Sequence, residues 1–292
     1  MEHKAVITSC SNKFFPSVVN LLGSIKVVYP NHPTIFVYDL GLWSVFRKEL
    51  ERIENVKVIP MPAFCGHWRS CYTWKTYILA HPLAELNFYL DAGCQLLKPL
   101  DEDFSIIEKE DILLIDQTHS FKAIVPPEYK NIFDVGNEFD DLTTIHAGII
   151  GFKDTPWVTD IFRKVYDAGC VGLALGFSPQ DRWRSKGKDK NIFVRNCDIF
   201  RHDLTLLNIF LRKHLRDTAV VRSLNLYHGG RNVVPEQRIW QLRLNYKTLD
   251  YIRIRQLHKN TQLLFVVNRI IIGLMIGMKN VNLSIKRSLG KI

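Results

Sequence analysis

Five short runs of consecutive apolar, β-branched or aromatic residues punctuate the N-terminal part of the chain: Ala5 to Thr8 (AVIT), Thr34 to Tyr38 (TIFVY), Asn55 to Pro60 (NVKVIP), Phe88 to Leu90 (FYL) and Ile112 to Ile115 (ILLI). A strand buried on both faces reads as such a continuous run, whereas a strand with one wet face alternates. Helical patterns fill the gaps. Pro16 suits a first helical turn, with Val18, Val19, Leu22 and Ile25 on one face, and a second pattern covers Cys71 to Ala80. Strand and helix alternating at this spacing predict βαβ units in an α/β fold, a doubly wound and mostly parallel sheet flanked by helices.

Further along, Thr155 is placed to cap a helix that Pro156 opens, that Trp157, Ile161, Phe162 and Val165 stripe, and that Gly169 ends. Another helix follows Arg201-His202-Asp203, with Leu204, Leu207, Phe210 and Leu211 as its apolar side. Between the two, Val171 to Phe200 contains GFSPQDRWRSKGKDKN, long, basic and aperiodic, the pattern of a functional or disordered loop.

At 292 residues the chain is long enough for one large domain without staples, and its six cysteines show no C-x-x-C pair and no zinc-finger spacing. A reducing compartment is the expectation, and the start MEHKAVITSCSN lacks the apolar core of a secretory signal. The expected location is cytoplasmic. Charge is uneven: Arg182 to Ile292 holds 23 Lys and Arg against 6 Asp and Glu, net +17, which leaves −7 for the preceding residues. The basic half therefore faces something anionic. Nucleic acid is not the expected partner, because no helix-turn-helix, zinc-finger or RNP signature accompanies the charge.

A domain is expected over residues 1–248, followed over 249–292 by a basic amphipathic tail. In it Leu263 to Met278 is apolar but interrupted by Asn268 and Arg269, too short to span a bilayer. With Arg253, Arg255, Lys259, Lys279, Lys286, Arg287 and Lys291 on its flanks, it suits either an anionic membrane surface on the inner face or a helix packed on the domain.

In an open parallel sheet, ligands bind outside the carboxyl ends of the strands. The polar residues there are Thr8 and Ser9, Asp39 after TIFVY, and Asp91 after FYL. Asp39 also suits a plain turn. Asp91 precedes Ala92 and Gly93, small neighbours that allow a ligand close.

The run NFYLDAGCQLLKPLDEDF resembles the "YLDAD, then apolar, then KPL" segment of GT-A nucleotide-sugar glycosyltransferases, particularly family 8. In matching order, FFPSVVNLLGSIKVVYPNHPTIFVYDLGL resembles their first βαβ unit, TWKTYIL the segment with a diphosphate-reaching cation, IHAGIIGF their "NAGV" strand, and RHDLTLLNIFL their "DQ, then LN" segment. The resemblance covers about Lys4 to Gly230. It implies a GT-A-like fold and transfer of a sugar from a nucleotide-diphosphate donor, a UDP-sugar, to a hydroxyl of a glycan or glycolipid. It also implies donor contacts from Thr8, Asp39, Lys75, Asp91, Ala92 and Arg231, with Arg69 as a supporting cation, and Asp203 as the catalytic carboxylate on the acceptor side. The family's divalent cation, Mn²⁺ or Mg²⁺, would rest on Asp91 and His228, since Gly93 stands where the second acid of the pair stands.

His146 and Leu204 likewise replace the family's Asn and Gln, so those roles are not carried over. Gly93 and Leu204 support the rival reading, a catalytically silent nucleotide-sugar or glycan-binding protein. Each residue also has a plainer explanation: a surface cation for Lys75, a helix cap for Asp203, a loop residue for His228, and core for Trp74. Trp68, Trp183 and Arg184 are aromatic and basic groups suited to a sugar ring without identifying one.

Overall fold

The computed structural model describes residues 2–176, 200–217, 219–227 and 235–241, together with Ile270 and Leu274. The chain runs β1 (Glu2–Cys10), α1 (Phe15–Val28), β2 (Thr34–Asp39), α2 (Ser44–Glu51), β3 (Val56–Pro60), α3 (Thr73–Ala80), β4 (Ala84–Leu90), β5 (Cys94–Leu96), α4 (Asp101–Glu110) and β6 (Ile112–Ser120). It continues through α5 (Phe121–Ile124), α6 (Pro127–Phe133), β7 (Thr143–Lys153), α7 (Pro156–Cys170), α8 (Asp203–His214), β8 (Val220–Arg222), α9 (Leu224–Tyr227) and β9 (Ile239–Gln241). Seven strands form one sheet in the order β3-β2-β1-β4-β7-β6-β8, and β5 pairs with β9 in a small second sheet.

The five predicted strands correspond to β1, β2, β3, β4 and β6, β3 starting one residue after Asn55, and run in one direction, while β7 lies antiparallel between β4 and β6. Successive side chains of each strand serve opposite cores. Ala5, Ile7, Phe36, Leu114 and Ile150 join α3, α7 and α8 on one face; Val6, Val37, Leu113 and Ile149 join α1, α2 and α4 on the other. The result is a helix–sheet–helix sandwich.

Two details of the helix ends differ from expectation. Thr155 has the extended backbone of an N-cap but its hydroxyl makes no capping bond and, among the described residues, is buried without a partner. Gly169 does not stop α7, which runs to Cys170 before Gly172 turns the chain with φ of 92°. Gly169 instead lets α7 approach α3, since a Cβ there would sit 2.7 Å from Thr76 Oγ1. Among the described residues no helix is long and apolar enough to cross a membrane. The 248/249 boundary, nearly all of the tail, and the 177–199 part of the basic loop with Trp183 and Arg184 lie outside the described residues.

Candidate active site: a buried lysine between two aspartates

The order β3-β2-β1-β4 places a topological switch between β1 and β4, where successive crossovers leave in opposite directions. A cavity of about 600 Å³ opens there along the carboxyl ends of the strands. Ser9 and Ser11 line it beside β1, Asp91, Ala92 and Gly93 at the end of β4, His146 and Gly148 from β7, and Gln117 from β6.

Three helix-borne or strand-end groups meet at its floor. Lys75, in the first turn of α3, places Nζ 3.0 Å from Asp91 Oδ1 and 3.1 Å from Asp203 Oδ2. Its side chain is 6% exposed, that of Asp203 9% and that of Asp91 33%, so the lysine is sealed while Asp91 faces the cavity. The Tyr89 hydroxyl donates to Asp91 Oδ1 at 2.8 Å, and the ammonium lies over the Tyr89 ring at 5.4 Å. Lys75 is therefore no surface cation. Asp203 is no cap either: among the described residues its carboxylate receives no helix N–H, and the N-cap position belongs to His202.

The entrances to the two helices carry backbone strain. Cys71 and Tyr72 before Lys75 have φ of 52° and 61°, and His202 before Asp203 has φ of 56° with ψ of −114°. Non-glycine residues held there cost about 1–3 kcal/mol each, and such strain clusters where side chains must be aimed. Glycine serves the same geometry at position 148. A Cβ there would overlap Asp91 Oδ2 and stand 2.8 Å from His146 Cε1, so only glycine lets the carboxylate cross β7. The Gly148 N–H donates to His146 Nδ1 at 3.0 Å, which puts the proton of a neutral imidazole on Nε2.

Burial disfavours both carboxylate charges, and the balance differs between them. For Asp91 the attraction of Lys75, with the bonds from Lys75 and Tyr89, outweighs burial and lowers the pKa below the ordinary value. For Asp203 burial, reinforced by the Asp91 charge, outweighs Lys75 and raises it. Burial alone would lower the Lys75 pKa, but Asp203 and Asp91 together hold it well above the usual lysine value. The trio thus carries one permanent positive charge and, when both acids are ionised, a net single negative charge.

The remaining expected site residues are placed less directly. Thr8 is fully buried inside β1, which runs on to Cys10, so Ser9 and Ser11 reach the cavity in its stead. Asp39 is occupied by its own turn. Its Oδ1 accepts from the Gly41 and Leu42 amides at 2.7 and 2.6 Å, and its Oδ2 from Arg47 Nε at 2.8 Å. That is the plain turn role, and Leu40 lines the cavity beside it. Ala92 and Arg69 do line it, Arg69 stacking over Trp68 at 4.6 Å and packing on Gly41. Trp74 is half core and half cavity wall. His228 and Arg231 lie outside the described residues.

Gln117, Arg201 and Gln241 escaped the sequence reading. Gln117 and Asp116 follow ILLI as Asp91 follows FYL, so the strand-end rule applied once more finds them. Gln241 arrives through long-range pairing: β9 bonds to β5, and Arg238 and Tyr227 anchor to Asp103 of α4 at 2.7 and 2.6 Å. Among the described residues Trp74 Nε1, Gln117 Oε1, Arg201 Nε and Gln241 Oε1 are shielded from solvent without a hydrogen-bond partner, and all four residues line this cavity. Buried polar atoms are nearly always satisfied, so such a concentration marks a place where a polar ligand completes the bonding.

Among the described residues, which do not include His228, the donor set does not form a ready divalent-cation site. Among the described residues no three His, Cys, Asp or Glu side chains group to hold a metal. Asp91 Oδ1 is committed to Lys75 and Tyr89, and an ammonium already lies between the two acids. Calorimetric titration with Mn²⁺ is expected to show weak binding to the protein alone and stronger binding once UDP supplies phosphate oxygens. Tight binding without UDP would contradict this ligand count.

The fold is GT-A-like. It is similar to a galactosyltransferase named LgtC solved with donor and acceptor sugar analogues, with a TM-score of 0.56, 11% identity, and coverage of 87% of this chain and 96% of that one. It is similar also to the glycosyltransferase GlyE of Streptococcus pneumoniae TIGR4, with a TM-score of 0.51, 11% identity, and coverage of 91% of this chain and 62% of that one. No protein-family model and no curated protein matches the sequence.

Proposed function

We propose that the chain is a glycosyltransferase that moves a sugar from a nucleotide-diphosphate donor, a UDP-sugar, to a hydroxyl of a glycan or glycolipid. The observation that carries this reading is the buried Lys75 held between Asp91 and Asp203 at the switch-point cavity. When the bond from the anomeric carbon to the diphosphate oxygen breaks, its electron pair goes to the diphosphate. A lysine that stays protonated offsets that charge, and Arg69 adds a second cation. The net negative charge of the trio suits the oxocarbenium character left on the sugar. Asp203, ionised, either accepts the proton of the attacking hydroxyl or supports that positive charge.

No step of this scheme needs a metal held by the protein alone; a divalent cation belongs to it only as a companion of the diphosphate. The membrane surface belongs to it through the tail, where Ile270 and Leu274, four residues apart and both helical, are 59% and 64% exposed.

The test is release of UDP from a panel of UDP-sugars. Wild-type protein is expected to release UDP, and Asp91→Ala to abolish release while keeping its fold, because Asp91 faces the cavity. Full activity in folded Asp91→Ala would remove Asp91 from the site. The rival reading is favoured by Gly93 and Leu204 lining the cavity. It predicts thermal stabilisation by a UDP-sugar with no UDP released.

A further inference from the structure

The cavity continues past the Lys75 trio to a second, separate cation. It spans the strand ends in sheet order, from Leu40 after β2 to Gln117 in β6. Neighbouring strands are about 4.8 Å apart, and β6 lies two strands from β4 on the side away from β1. On the glycosyltransferase reading, on which this inference rests, the nucleotide occupies the β1–β2 side of the switch. Gln117 and Arg201 then face the acceptor.

Arg201 is a half-buried guanidinium with no acid within ion-pair distance among the described residues. Among the described residues its guanidinium contacts His119 Nε2, 3.5 Å from Nη2, at the outer limit of a hydrogen bond, and its Nε is sealed from water without a partner. Gln117 Oε1, which lines the same cavity, is likewise sealed and unpartnered among the described residues. Withdrawing a cation from water is costly unless an anion or acceptor meets it. Arginine does not shed its proton to escape that cost, and its planar fork matches the two oxygens of a carboxylate or phosphate.

We infer that the acceptor is an anionic saccharide whose carboxylate or phosphate is received by Arg201, with Gln117 Oε1 accepting from a neighbouring hydroxyl. On that reading Arg69, against Gly41 on the β2 side, answers the donor diphosphate, and the charge of Arg201 is left for the second substrate. The acceptor sugar would then be held with its acid toward β6 and its attacking hydroxyl toward Asp203.

Binding of glucuronic acid, glucose 6-phosphate and glucose is compared by ligand-observed NMR, each with and without saturating UDP. At least one acidic sugar is expected to bind about tenfold more tightly than glucose, and which one does so separates carboxylate from phosphate. In Arg201→Gln the advantage is expected to fall below about twofold with UDP affinity unchanged, and Arg201→Lys, which keeps the charge but loses the fork, should retain part of it. Equal binding of acidic and neutral sugars by the wild-type protein, or a preference that survives in Arg201→Gln, overturns the inference. Failure of UDP itself to bind counts against the donor reading instead, because the acid preference is read independently in the samples without UDP.

Discussion

Lys75→Met is expected to destabilise the protein by about 3–5 kcal/mol and to end UDP release. The stability loss follows from what the ammonium separates. With Nζ within 3.1 Å of both Asp91 and Asp203, its removal leaves two carboxylates confined together with nothing between them. One must then take a proton, and Asp203 is the one whose pKa is already raised. An acid whose folded pKa lies above its unfolded value favours folding when protonated and loses that advantage as pH rises through the gap. The deficit of Lys75→Met against the wild-type protein should therefore be smallest in mild acid and grow toward neutral and alkaline pH. Urea titration at several pH values measures it. The double variant Lys75→Met/Asp203→Asn removes the surplus charge and is expected to recover part of the loss, a coupling that a double-mutant cycle reads directly. A loss that is the same at every pH, or that Asp203→Asn does not relieve, would mean that packing of the lysine stem, not its charge, holds the site.

The same lysine shows where sequence reasoning reaches its limit. β1, β2, β4 and the start of β6 were legible because strands buried on both faces leave unbroken apolar runs, and the strand-end rule then located Asp91 without any partner in view. α8 was legible through its stripe, although burial extends over all of Asp203 to Leu211. The direction of β7 was not, since IHAGIIGF is apolar on both faces whichever way it runs. The pairing of β5 with β9 was also invisible, being three residues against three across more than a hundred positions. α2 and α4, as SVFRKELE and DEDFSIIEKE, bury only a few residues each behind charged faces. Nothing in TWKTYIL distinguishes a buried lysine from a solvated one. That depends on Asp91 and Asp203, brought to it from strand and helix ends 16 and 128 positions away. The strand-end rule points to Thr8 and Asp39, yet β1 runs two residues past Thr8, and the Gly41 and Leu42 amides occupy Asp39 Oδ1.

Asp203→Asn is expected to lower sugar transfer by about 10²–10⁴-fold while leaving the fold nearly as stable. The two effects part because the ion pair with Asp91 continues to hold Lys75, and because a neutral amide relieves the burial that raises the Asp203 pKa. Loss of activity without loss of stability is the signature of a group that meets the substrate; comparable loss of both would return Asp203 to a packing role. The pH profile adds a second readout. If ionised Asp203 is needed, activity should fall on acidification at a pH above the ordinary aspartate value of 3.8, since burial and the Asp91 charge together outweigh Lys75 there. Asp91, whose pKa is lowered, would still be ionised through that range and cannot produce the limb. Lys75, held well above the usual lysine value, contributes no alkaline limb near neutrality. The residual rate of Asp203→Asn should be flat across the range in which the wild-type rate falls. A limb that persists in the asparagine variant would assign the titration to another group, with the cavity-lining imidazole of His146, beside Asp91, as the next to substitute.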